Sequence, residues 1–269
     1  MNENNEGGNG ERKPIVSLPI SILAAAILIS GAVIYSANQK GTVLPPSAGD
    51  PSAPAANGAD QAQTIVVPPI GTRDVVMGNK DAKVTLIEYG DYQCPFCGRF
   101  FTQVEPNLIE DYVNTGKVKF VYRDLAFLGP ESIASAEAAE CSKDQNKFWQ
   151  FHDALYTEEI KDGEEHNGNL NRDLFIKLAK QVGMNTNDFV KCYDGKKYSE
   201  AVENSVQTSQ KTGINSTPTS FITRATSEVA SFIKLSPTLD AKEKNGNGQE
   251  ISGAQPFSAF ISVIDALLK

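Results

Sequence analysis

The sequence has no clustered Lys or Arg, and its formal net charge is −8. A phosphate-binding surface needs such a cluster, so nucleic acid is excluded as a partner. There are only two histidines, His152 and His166, without spaced partners. They read as a helix and a loop residue with no assigned role. No second Cys-x-x-Cys or paired His accompanies the single Cys-x-x-Cys, which argues against a zinc ribbon or finger, and no metal is expected. No internal repeat is apparent, which removes solenoid architectures. Finally, residues 15–36 carry no charge at all.

That last gap divides the chain. A helix over 15–36 rising ~1.5 Å per residue reaches about 33 Å, enough to cross the hydrocarbon core. Its end, Ile34-Tyr35-Ser36-Ala37, is a poor cleavage site, so the segment reads as one uncleaved N-terminal transmembrane helix, a signal-anchor. Arg12 and Lys13 just before it place the polar 1–14 tail in the cytoplasm, disordered, and the bulk of the chain across the membrane. Residues 37–63 carry Pro45, Pro46, Pro51 and Pro54 among small residues and read as a semi-extended tether. The globular part is 64–269, long enough to bury a substantial core.

Within it, the run 84–89 is apolar and β-branched, bounded by Gly90-Asp91, and predicts a buried strand, the first of the domain. The period then changes. Phe100, Phe101, Val104, Leu108, Ile109, Tyr112 and Val113 share one helical stripe that Gly116 closes. Between strand and helix stands Cys94-Pro95-Phe96-Cys97. Cys94 is therefore placed at a helix N-terminus, where free N–H groups and the positive dipole end favour a thiolate and make it the attacking sulfur. Pro95 suits the first turn because its missing N–H would have had no partner. The alternatives are half a metal site and a purely structural disulfide, though so tight a loop at a helix start is more typical of thiol exchange.

Residues 118–122 alternate as a second strand, so strand, helix and strand imply a parallel pair. Residues 131–212 are helical in pattern and read as a domain inserted between strands: an Ala-rich helix through Ala138, one over 148–156 with Phe148 and Trp149 in its core, one over 174–182, and one from Phe189 towards Gln210. Strands resume at 219–223 and near Ile251, and 256–268 has helical spacing. The stretch 224–249 reads as an exposed loop in which 229–235 is an optional extra strand.

Val84 to Tyr89 leading into Cys94-Pro95-Phe96-Cys97, then Ala138-Ala139-Glu140-Cys141, Phe148-Trp149, Thr217-Pro218-Thr219 and Gly253-Ala254-Gln255-Pro256, resembles the DsbA-like branch of the thioredoxin superfamily over nearly the whole chain after Gly71. The resemblance implies an α/β thioredoxin fold with an inserted helical domain. It also implies extracytoplasmic (periplasmic or outer-face) thiol-disulfide oxidoreductase activity, with no cofactor beyond the redox-active disulfide. Cys94 is then the nucleophile and Cys97 the resolving thiol. Pro218 is implied to be cis and to face the pair, against the general preference for trans. Thr217 offers backbone groups to a substrate chain, beside Pro95 and Phe96. Glu88 matches an acid beneath the pair that relays protons; the other reading is an edge-strand Glu facing solvent. Substrates would be reduced or unfolded exported proteins, and a quinone-linked membrane thiol oxidase would reoxidise the pair. Phe96 departs from the His of strongly oxidising members, and a phenyl ring cannot stabilise a thiolate as His does, so a weaker oxidant is expected.

In an oxidising compartment Cys141 and Cys192 are expected to form a structural disulfide, the rival being a second redox pair. Disulfide isomerase or reductase roles use the same atoms. A membrane-tethered chaperone or binding module is the reading from a different class.

Overall fold

Residues 63–161, 163–224, 230–234, 242–243 and 247–269 are described in the structure, a computed structural model. The expected cytoplasmic tail, membrane segment and nearly all of the tether lie outside them. Among the described residues, no helix is long and apolar enough to cross a membrane.

The strand 84–89 becomes β3 (Val84–Gly90), buried at every position. A continuous apolar run belongs in a strand covered on both faces. On one side it pairs in parallel with β4 (Val118–Asp124), and on the other antiparallel with β5 (Thr219–Arg224). β8 (Gly248–Ser252) follows β5, and β2 (Val76–Met77) edges β4. Beyond β8 lie β7 (Lys242–Glu243), β6 (Ala230–Lys234) and β1 (Gln63–Val67), giving the order β1-β6-β7-β8-β5-β3-β4-β2.

Two features correct the sequence reading. Part of 224–249 is sheet rather than exposed loop, with β6 within the optional 229–235 strand. The domain's first strand is β1, not β3: it pairs with β6 from Gln63↔Lys234 to Val67↔Ala230. Burial of Ile65, Val67 and Phe232 against Phe221 explains why this pairing forms.

The stripe after Cys94 is not one helix. It forms α1 (Pro95–Gln103), then α2 (Glu105–Leu108), then a single wider turn over Ile109–Val113. Pro106 has no N–H to return to the preceding turn, and the break falls at Val104 (φ −115°). The apolar face survives the break: Phe100, Val104, Leu108, Tyr112 and Val113 are all buried. Phe100 meets Phe120 of β4 and Phe260 of the closing helix on the same face of the sheet.

The inserted helices are α3 (Pro130–Lys143), α4 (Phe148–Glu159), α5 (Arg172–Gln181), α6 (Thr186–Asp194) and α7 (Ser199–Lys211); α8 (Phe257–Leu268) ends the chain. The helix expected from Phe189 to Gln210 is two, because the chain turns at Gly195 and Lys196 (φ 52°). A Cys141–Cys192 disulfide ties α3 to α6 with Cα atoms 5.9 Å apart, and Lys196 reaches the buried Glu137 at 2.7 Å. Trp149 is half-buried and bridges two cores, packing against the insertion's cluster beside Phe148 and against Phe120 of the sheet at 5.2 Å.

Candidate active site

β3 ends at Gly90, where a Cβ would lie 2.5 Å from the Tyr122 ring, so only glycine lets that ring close over the strand end. Asp91 then folds the turn. Its buried carboxylate accepts the N–H groups of Gln93 (3.0 Å), Phe127 (3.0 Å) and Leu128 (3.1 Å), and its carbonyl accepts that of Cys94 (3.0 Å). One side chain therefore fixes the turn and ties it to the loop after β4. Burial pushes the Asp91 carboxyl above the usual range.

Cys94 caps α1 in extended conformation with Pro95 in the first turn and no side-chain cap of its own. Both Cys94 and Cys97 are free thiols, 5 % and 0 % exposed. Their chemistry is nevertheless opposite. The Cys97 thiol donates to Cys94, the Thr217 hydroxyl and the N–H groups of Cys97 and Phe96 add further donors, and together these outweigh burial to lower the Cys94 thiol from 9.0 to about 6. Burial raises the Cys97 thiol well above its ordinary value; its bond to Cys94 and the charges of Cys94 and Glu88 add to this. At neutral pH the pair is one thiolate and one thiol.

The Thr217-Pro218 peptide bond is cis and leads into β5. Cys94 Sγ lies 3.5 Å from the Thr217 carbonyl oxygen, so Thr217 and Cys94 meet from positions far apart in the chain. Pro218 is buried, and its carbonyl accepts the Gly253 N–H at 2.8 Å. Phe96 is 52 % exposed beside the sulfurs, with the Arg99 guanidinium 5.0 Å from its ring centroid. A cleft of about 350 Å³ opens beside Cys94, lined by Gln93, Pro95, Gly98, Arg99, Thr102 and Ile160.

Glu88 sits on a central strand, not an edge, and is 1 % exposed, with Oε2 lacking a hydrogen-bond partner among the described residues. Burial, then the charges of Glu105 and Cys94, hold its carboxyl well above the usual range. The solvent-facing reading of Glu88 is thus corrected by the position of β3 between β4 and β5. Cys141 and Cys192 are joined away from this pair.

Three site residues escaped the sequence reading: Asp91, Glu105 and His152. An Asp directly after a strand-ending Gly is a turn signal that could have pointed to the first. His152 is fully buried, where the sequence assigned it no role.

Comparison with known proteins places this geometry among relatives. The thioredoxin family model matches residues 72–241. A probable disulfide bond formation protein D of Bacillus anthracis is 30 % identical over 150 residues, covering 54 % of this chain and 68 % of that protein. The disulfide bond formation protein D of Bacillus subtilis is 29 % identical over 173 residues, covering 63 % and 77 %. The crystal structure of oxidised BdbD from Bacillus subtilis, 24 % identical, aligns with a TM-score of 0.61 over 77 % of this chain and 98 % of that one, a likeness of fold.

Proposed function

The chain belongs to the thioredoxin family and is a DsbA-like thiol-disulfide oxidoreductase, and on that footing we propose that Cys94 and Cys97 are its redox centre and introduce or exchange disulfides in exported proteins. The observation that carries this is the placement of two free thiols within one helical turn, Cys94 at the helix start 3.5 Å from the Thr217 carbonyl of the cis Thr217-Pro218 bond and Cys97 buried behind it, which lowers one thiol to about 6 and raises the other. A substrate thiolate attacks Cys94 of the oxidised pair, and Cys97 leaves as a thiolate that the protonated Glu88 neutralises. A second substrate thiolate then attacks the substrate sulfur of the mixed disulfide. A substrate disulfide forms, and Cys94 departs as a stable thiolate.

Thr217 and Pro218 border the attacking sulfur and, with Pro95 and Phe96, form the surface that receives the substrate chain. The Cys141–Cys192 bond is structural. Reoxidation falls to a membrane thiol oxidase. The 15–36 segment anchors the domain on the extracytoplasmic side, and residues 37–62 tether it, Gln63 belonging to β1.

Cys94→Ser tests the assignment. Turnover in oxidising a reduced protein substrate should be lost by at least about a thousandfold, since covalent exchange has no substitute nucleophile. A binding module would keep its capture of unfolded chains and lose nothing.

A further inference from the structure

Beneath the redox pair lies a second titratable group that this mechanism does not use. Glu105 stands at the break between α1 and α2 and His152 on α4, 2 % and 0 % exposed. A Glu105 carboxylate oxygen, a His152 ring nitrogen and an Asp153 carboxylate oxygen all lie within 4.8 Å of one another. His152 Nδ1 is 3.0 Å from Asp153 Oδ1, while His152 Nε2 and Glu105 Oε2 are buried with no hydrogen-bond partner among the described residues. Two orphaned polar atoms in one core are costly unless they serve a purpose. Asp153 is 54 % exposed, so the cluster reaches solvent at one end.

Its other end reaches the redox centre. The His152 ring packs edge-on against Tyr122 at 4.7 Å, and Tyr122 is the register partner of Glu88 across β3 and β4. The titratable groups around the cluster are Glu88 from β3, Tyr122 from β4, Tyr92 from the turn before α1, Cys97 from α1, and Asp153 and Tyr156 from α4; Asp124 and Glu140 also act on Tyr92, ahead of Asp153 and Glu88.

We propose that Glu105 and His152 are positioning residues that restore the proton Glu88 gives to Cys97, drawing it from solvent at Asp153. This rests on the redox reading above. In the step concerned, a thiolate attacks Cys94 and breaks the Cys94–Cys97 bond, and the electron pair leaves on Cys97 sulfur. Glu88 protonates that sulfur and becomes a buried carboxylate. Glu105 returns a proton to Glu88 and is itself reprotonated through the imidazole, which takes a proton at one nitrogen and releases one at the other. Burial, offset by His152 and reinforced by Asp153, raises the Glu105 carboxyl to about 7, where it both holds and yields a proton near neutrality.

The test is rapid-mixing infrared spectroscopy of the protonated Glu88 carboxyl band after the oxidised full chain is reduced by dithiothreitol, across pH 5.5–9, with Glu88→Gln identifying the band. In the native protein the band lost on protonating Cys97 should recover about tenfold faster below pH 7 than in Glu105→Gln, a modest share of what a general acid supplies, and the recovery rate should fall through an inflection near 7 that the variant lacks. Glu105→Asp should restore part of the inflection. If Glu105→Gln does not fold, His152→Gln carries the same expectation. A Glu105→Gln profile superimposable on the native one would overturn the inference. The redox reading would survive that result if Glu88→Gln were slow, and would itself fail if Cys94→Ser still turned over.

Discussion

The protein holds two cysteine pairs in buried surroundings, and they behave in opposite ways. Cys141 and Cys192, 51 residues apart, are bonded between two helices of the insertion. Cys94 and Cys97 stand one helical turn apart and are free. Burial alone does not separate them, since all four are at most 7 % exposed. What differs is the surrounding chemistry. The Cys94 sulfur faces the Cys97 thiol and amide and hydroxyl donors at a helix start, and Cys97 is raised by burial, by Cys94 and by Glu88. Cys141 and Cys192 pack with Phe151, Phe175, Leu178 and Phe189, where a thiolate would find little support. Reactivity therefore follows the donors and charges around a sulfur, while stability follows the length of loop a bond closes.

Removing the Cys141–Cys192 bond should have the largest effect. Cys141→Ala with Cys192→Ala should cost up to about 4 kcal/mol, the chain-entropy value for a loop of that length. The check is urea unfolding, with exchange activity retained below the transition. Loss of exchange in a still-folded double variant would mean that both pairs belong to one redox path.

A smaller effect depends on pH. The folded Cys94 thiol lies at about 6 against an ordinary 9.0, so its contribution to the reduced form is present in full above 9 and lost as pH falls through 6. The oxidised form has no such group. The stability of the reduced form relative to the oxidised form should rise between pH 6 and 9, measured by denaturant unfolding of each. Glu105, raised to about 7, works with the opposite sign: its contribution is full below its ordinary value of 4.5 and lost as pH rises through 7. A difference between the two forms that stays flat across the range would remove Cys94 as the tuned sulfur.

The sequence made much of this legible. A continuous apolar run found β3, which is covered on both faces, and alternating, β-branched or helical patterning found β4, β5, β8, α8 and the extent of the insertion. Cys94-Pro95-Phe96-Cys97 between a strand and a helix placed the pair at a helix start. Less visible were elements whose stability comes from distant partners. β1 is five residues long and is made a strand by β6, far along the chain. The break at Val104 was written in Pro106 but masked by a stripe that stays in phase across it. Glu105 sits inside that stripe as one polar residue, and its meeting with His152 depends on how α4 docks against α1 and α2, which no local pattern encodes. Asp91 is similar: its carboxylate looks like an ordinary turn residue until the loop after β4 is folded onto it.

The two active-site thiols are unequal, and thiolate absorbance of the reduced protein measures that inequality directly. Titrated from pH 4 to 9, the native protein should gain one thiolate with a midpoint near 6, absent in Cys94→Ser, and no second one from Cys97. Two thiolates appearing together near the ordinary thiol value, or a midpoint near 6 that persists in Cys94→Ser, would contradict it.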